Sequence, residues 1–233
     1  MNSIKERPAL FNDEMVRAIL EDRKTVTRRA IKPQPPEGHK WRGWVVDSTC
    51  SKEIGSASWD EGGGPLRRNA TYARCPYGKP GDRLWVRETW YCDHFEVQQG
   101  PYLRPADMHD LDQSREDGEL VYAADGLTPY EQEQPVWKPS IHMPRWASRI
   151  LLEVTDVRVE RLQDISDKEI EAEGIDLDAL AEGQGRYDMC HAGSGADGRP
   201  TLRTAWRDLW GSTGGDWDAN PWVWCVSFKR VTP

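Results

Sequence analysis

The stretch Leu20-Glu21-Asp22-Arg23-Lys24-Thr25-Val26-Thr27-Arg28-Arg29 changes its periodicity half-way along, and the fold is read from that change. Before it, Phe11, Met15, Val16, Ile19 and Leu20 recur at helical spacing. Asn12 stands where an N-cap is wanted, and Asp13 and Glu14 occupy the first turn, where the helix dipole favours acids. The helix is predicted to end near Glu21-Asp22-Arg23. Thr25-Val26-Thr27 then opens a β-branched run towards Ile31, which predicts a strand stopped by Pro33, Pro35 and Pro36.

Working outward, residues 33–80 read as an irregular insertion with a short hairpin around Trp41-Arg42-Gly43-Trp44-Val45-Val46. Arg83 to Trp90 alternates apolar and polar residues and predicts one half-buried strand after the Pro80-Gly81-Asp82 turn. Residues 91–148 read as a second insertion, holding a short strand at Glu119–Ala124. Ile150 to Arg161 is the clearest strand. Ser166, with Glu169 three positions on, forms a capping box for a helix ending at the C′ glycine Gly174. Residues 181–200 are Gly-rich and are predicted to be mobile. Leu202, Ala205, Trp206 and Leu209 predict a further helix, and Trp222–Phe228 a closing strand. The order predicts an α+β chain: a mixed β-barrel with peripheral helices and long loop insertions, one domain over residues 1–233.

Composition narrows the function. The 233 residues are 37% hydrophobic with a mean hydropathy of -0.78. No apolar run of about 18 residues exists, and the N-terminus lacks the apolar core of a secretory signal. A cytoplasmic protein with no membrane partner is expected. The five cysteines are scattered without a C-x-x-C pair, so neither a disulfide framework nor a structural zinc site is indicated. Cys75, Cys92 and His94 are the best available ligand set, and the expectation is no metal and no cofactor. A net charge of -8 argues against gripping long nucleic acid by counterion release. Residues 1–90 nevertheless carry 17 basic against 12 acidic side chains, and residues 91–233 carry 14 against 27. A small nucleoside or a short single-stranded RNA suits that balance. Among the twelve tryptophans, Trp85 or Trp90 is a candidate to stack on a base.

The quoted stretch resembles the motif of the ASCH domain family, whose fold is PUA-like, with Asp22 where the family usually has glycine. Gly81-Asp82-Arg83-Leu84-Trp85-Val86, Leu152-Glu153-Val154-Thr155 with Ile165–Gly174, and the final helix and strand extend the likeness over roughly half the chain. With its insertions the chain looks most like the longer ASCH-like proteins of phage and prophage genomes. The resemblance implies an amidohydrolase that removes the acyl group from N4-acylated cytidine-type nucleosides. It carries the family's lysine, threonine and glutamate onto Lys24, Thr27 and Glu173.

That chemistry is physically reasonable. A threonine hydroxyl needs a base within reach, and a lysine serves only when neutral, with its pKa lowered by about 3 units from about 10.4. Burial or the charges of Arg23, Arg28 and Arg29 push in that direction. Lys24 is then the base, Thr27 the nucleophile and Glu173 the donor to the leaving amine; attack by water is an equal alternative. Arg23, Arg29, Trp85, Glu88 and Trp90 are candidate substrate contacts. The structural alternative treats the basic residues as helix-dipole partners and the threonines as ordinary strand residues. It makes Glu88 a partner of Arg83 or Arg87, and His142 a turn residue. Two other function classes stay open: a non-catalytic RNA- or modified-base-binding module, and an ASCH-type ribonuclease.

Overall fold

The computed structural model describes residues 4–62, 69–94, 97, 102–126, 137–191 and 198–232. The chain divides into two compact units, each assembled from separate chain segments. The first comprises Met1–Thr25, Pro80–Val154 and Phe228–Pro233, and the second Val26–Lys79 and Thr155–Ser227. Two long strands, β9 (Leu151–Arg161) and β10 (Trp222–Val231), contribute residues to both.

In the first unit β1 (Glu6–Leu10) runs parallel to β6 (Arg83–Arg87), and β6 pairs antiparallel with the start of β9, Leu84 opposite Leu152. Helix α1 (Asp13–Leu20) follows β1; Asn12 caps it by accepting the Met15 N–H at 2.9 Å, and Met15, Val16, Ala18 and Ile19 form its buried face. The predicted strand Arg83–Trp90 is in fact two. β6 ends at Arg87, and β7 (Trp90–Cys92) joins a different sheet with β8 (Leu120–Tyr122). The break falls at Glu88, whose fully buried carboxylate draws the chain toward Arg149. That guanidinium donates to both Glu88 oxygens at 3.0 and 2.9 Å and to both Asp125 oxygens at 2.8 Å. It also lies 4.0 Å from the Tyr122 ring centroid. A small core of Trp90, Cys92, Met108, Leu120, Tyr122, Met143 and Ala147 packs behind the β7–β8 pair. Helix α2 (Leu111–Glu116) precedes β8 in this unit, capped by Asp110, which accepts the Asp112 N–H at 3.0 Å.

In the second unit β2 (Val26–Ala30) pairs antiparallel with β10, Arg28 opposite Cys225, and β10 in turn neighbours the end of β9. Helices α3 (Asp167–Ala172) and α5 (Leu202–Ser212) cover one face of these strands, burying Leu162, Ile165, Ile170, Trp206 and Trp210 against Val223 and Cys225. Ser166 and Glu169 make the predicted capping box, and Gly174 takes the left-handed conformation, φ +89°, that ends the helix. Residues 181–190, predicted to be mobile, instead belong to helix α4 (Leu177–Cys190), which Asp176 caps by accepting the Ala179 N–H at 2.9 Å. Part of the glycine-rich segment, residues 192–197, lies outside the described residues. The 33–80 insertion holds a three-stranded sheet of β3 (Lys40–Trp44), β4 (Ala57–Asp60) and β5 (Thr71–Ala73), where one hairpin was expected. A bulge between Trp41 and Gly43, with Gly43 at φ +91°, lets Trp41 and Trp44 point the same way despite their odd spacing. Trp44 stacks on Trp224 at 6.0 Å and 24°, and Trp41 lies 5.1 Å from Trp59 and 6.4 Å from Trp222.

The α+β class is therefore observed. Among the described residues the strand pairings close no barrel. Nor is any helix long and apolar enough to cross a membrane.

Replacing Arg149 by methionine strips both Glu88 oxygens of their donors inside the fold. Urea denaturation of the variant is expected to show a loss of about 3–5 kcal/mol, the usual cost of breaking a buried pair; an unchanged midpoint would rule out the clamp.

Candidate functional site

The helix-to-strand junction is built by local backbone chemistry. Asp22 occupies the C′ position of α1 in the left-handed conformation, φ +57°. The Asp22 N–H reaches the Ile19 carbonyl at 3.1 Å and the Arg23 N–H the Ala18 carbonyl at 2.9 Å, a Schellman pattern. Aspartate tolerates this conformation better than most residues, so the turn closes without a glycine. The Lys24 N–H shares the Ala18 carbonyl at 2.9 Å, and the Lys24 side chain is turned inward, leaving the residue 2% exposed. It lines a cavity of about 350 Å³ in the first unit, walled by Ile19, Leu152 and Phe228 on its apolar side. Arg23 stays at the surface, its Nε donating to Glu21 at 2.7 Å.

In the second unit Thr27 and Glu173 are each 2% exposed, on β2 and at the C-cap of α3. Successive strand residues project to opposite faces. Arg28, with its cross-strand neighbour Cys225, faces the helices; Thr27, with Val226, and Arg29, with Trp224, face the tryptophan side. Glu173 meets β2 through Arg28: its Oε1 accepts from Arg28 Nη1 at 3.3 Å. Arg28 Nη2 donates to Glu160 Oε2 at 2.9 Å and lies 3.2 Å from Glu169 Oε1. Arg158 braces the same two carboxylates, Nε to Glu160 at 3.0 Å and Nη2 to Glu169 at 2.6 Å. The Cys225 thiol donates to Glu160 Oε2 at 3.2 Å.

Burial opposes the Arg28 charge, but Cys225, Glu173 and Glu160 outweigh it and hold the guanidinium above its ordinary pKa. Desolvation pushes the Cys225 thiol well up, so it is a hydrogen-bond donor here and not a nucleophile. Burial also works against Glu169, yet its bonds from Ser166 and the charges of Arg28 and Arg158 keep its carboxyl below the usual range. Near Arg29, burial raises the Tyr77 phenol and the arginine charge counters it.

The remaining candidates sit elsewhere. Trp85 is half-buried on β6 with the Arg87 guanidinium 5.1 Å from its ring. Trp90 is wholly enclosed between Tyr102 and Trp146, edge-on to both at 5.9 Å, and offers no face to a base. Glu88 is taken by Arg149, neither of the two arginines considered from the sequence. His94 pairs with Asp107 at 3.0 Å, and Cys92 lies in the apolar core with its thiol pushed up to about 11 by burial. Among the described residues no group of three or more His, Cys, Asp or Glu could hold a metal ion. Reasoning from the sequence missed Arg28, Glu160 and Arg149. Only Arg28 carried a signal: an arginine among β-branched residues at a position whose strand neighbours are buried.

Comparison with known proteins finds no matching family model, curated protein or solved structure.

Arg28→Met removes a guanidinium that three carboxylates share, and chemical denaturation is expected to register a loss of about 3 kcal/mol or more. Arg28→Lys should recover little of it, since an ammonium cannot fork between separate acceptors. For Glu169 the folded-state pKa is depressed. Its contribution to stability is therefore present above the ordinary glutamate value and is lost as pH falls through the folded value. Glu169→Gln should flatten the acid limb of the stability–pH curve; an unaltered limb contradicts the assignment.

Proposed function

We propose that the chain is an amidohydrolase acting on the acylated exocyclic amine of an N4-acylcytidine-type molecule, with Lys24 and Thr27 in the reacting roles and Glu173 in support. The observation that carries this reading is burial. Lys24, Thr27 and Glu173 are each 2% exposed. A basic helix-to-strand junction with only a structural task keeps its lysine in water, where the charge costs nothing. An ammonium drawn out of solvent has to be paired or neutral, and the neutral form is the one a base requires.

In this reading Lys24 takes the Thr27 hydroxyl proton as the oxygen attacks the acyl carbonyl. The C–N bond then breaks, the same proton passes from Lys24 to the departing amine, and water hydrolyses the acyl ester to a carboxylic acid and free Thr27. Lysine alone can thus carry the proton both ways. Glu173, bonded to the Arg28 side chain on the strand face opposite Thr27, is assigned a positioning role in place of the proton-donor role suggested by the resemblance.

A second reading, a non-catalytic base-binding module, is favoured by Trp44. The residue is 36% exposed and its ring is backed by Trp224, a stacking platform worth about 1–3 kcal/mol per base.

The test is incubation of purified protein with N4-acetylcytidine and with single-stranded RNA, followed by chromatography. Thr27→Ala and Lys24→Ala are expected to lower cytidine release at least 100-fold, in the range of lost acid–base or nucleophilic assistance. Glu173→Gln should cost less and act on both kcat and KM. Intact nucleoside with shortened RNA would indicate a ribonuclease. Binding without turnover, weakened by Trp44→Ala, would indicate the module.

A further inference from the structure

We propose that the cavity beside Lys24 receives a phosphate ester, so that the molecule processed is an N4-acylated cytidine nucleotide and not the bare nucleoside; this rests on the amidohydrolase reading. In a chain of net charge -8, the polar wall of this cavity has the opposite sign: even with Lys24 neutral, as its role as a base requires, Lys229 and Arg230 stand against Asp22. The two cations of β10 remain open to solvent, with side chains 60% and 41% exposed.

Their present partners hold them weakly. Lys229 Nζ lies 3.2 Å from Glu153 Oε1, Arg230 Nη2 3.3 Å from Asp22 Oδ2, and Arg230 Nη1 3.2 Å from the Leu20 carbonyl. Ion pairs this exposed are worth little, so redirecting them to a ligand costs little. A phosphate monoester brings about -1.5 to -2 charge and three acceptor oxygens, more than either carboxylate offers. The carbonyl end of α1 opens on the same cavity and disfavours an anion by itself. Recognition must therefore come from the two side chains of β10, and Arg230 already offsets the Leu20 carbonyl.

The apolar wall of Ile19, Leu152 and Phe228 suits the sugar and base of such a ligand. A volume of 350 Å³ stands at the small end of ligand sites, with room for one nucleotide unit and not for a strand.

The experiment compares kcat/KM for N4-acetylcytidine, its 5′-monophosphate, and a short oligonucleotide carrying one acetylated cytidine. The wild type is expected to prefer the monophosphate by roughly ten-fold, as for a charge-assisted bond, and the preference should shrink as salt rises. In a Lys229→Gln, Arg230→Gln double variant the monophosphate-to-nucleoside ratio should fall towards one, while Lys229→Arg retains it. Equal rates on nucleoside and monophosphate in the wild type, a ratio that survives the double variant, or fastest turnover of the oligonucleotide would each overturn the proposal. If none of the three is hydrolysed, the amidohydrolase reading fails instead. Calorimetry with cytidine and cytidine 5′-monophosphate then decides the cavity separately. Tighter binding of the monophosphate by wild type but not by the double variant supports it, and equal binding removes it.

Discussion

A guanidinium with no exposed surface sits among Glu160, Glu169 and Glu173, and the second unit is organised around keeping it satisfied. Removing an arginine from water is costly, so Arg28 requires carboxylates from more than one direction. They come from β9 and from α3 with its C-cap, which ties the edge strand β2 to the helix covering it. Arg158 then balances the excess negative charge, and Glu169 doubles as the capping-box residue of α3. One buried cation thus fixes strand register, helix position and the orientation of Glu173. Because Arg28 and Thr27 leave β2 on opposite faces, it also separates the carboxylate cluster from the threonine.

The first unit uses the same device with the signs exchanged. There the wholly buried group is an acid, Glu88, and the partly exposed Arg149 serves it together with Asp125. Burial raises the Glu88 carboxyl while the Arg149 bonds draw it back down. The bend this forces between β6 and β7 converts one predicted strand into two, in different sheets.

The tryptophans divide along similar lines. Trp90 and Trp206 are core residues, and their bulk sets the packing of β7 and α5. Trp41, Trp44, Trp59, Trp222 and Trp224 form one continuous aromatic layer in the second unit, which gives the 33–80 segment a hydrophobic anchor and explains why it is a folded sheet. Pairs of this kind add about 0.5–1.5 kcal/mol each beyond burial.

Local chemistry was legible in the sequence. The Asn12 cap, the Ser166–Glu169 capping box, the Gly174 stop, and the strands at 26–30, 151–161 and 222–231 follow from residue type and period, which act over a few neighbours. The left-handed turn at Asp22 is of the same kind. What only the tertiary structure decided are the long-range pairings: Arg28 with Glu160 and Glu173, Glu88 with Arg149, Trp44 with Trp224. These partners stand 61 to 180 positions apart. No periodicity links them, because an ion pair or a ring stack is selected by desolvation in three dimensions, whereas spacing along a chain reports only which side of a helix or strand a residue occupies.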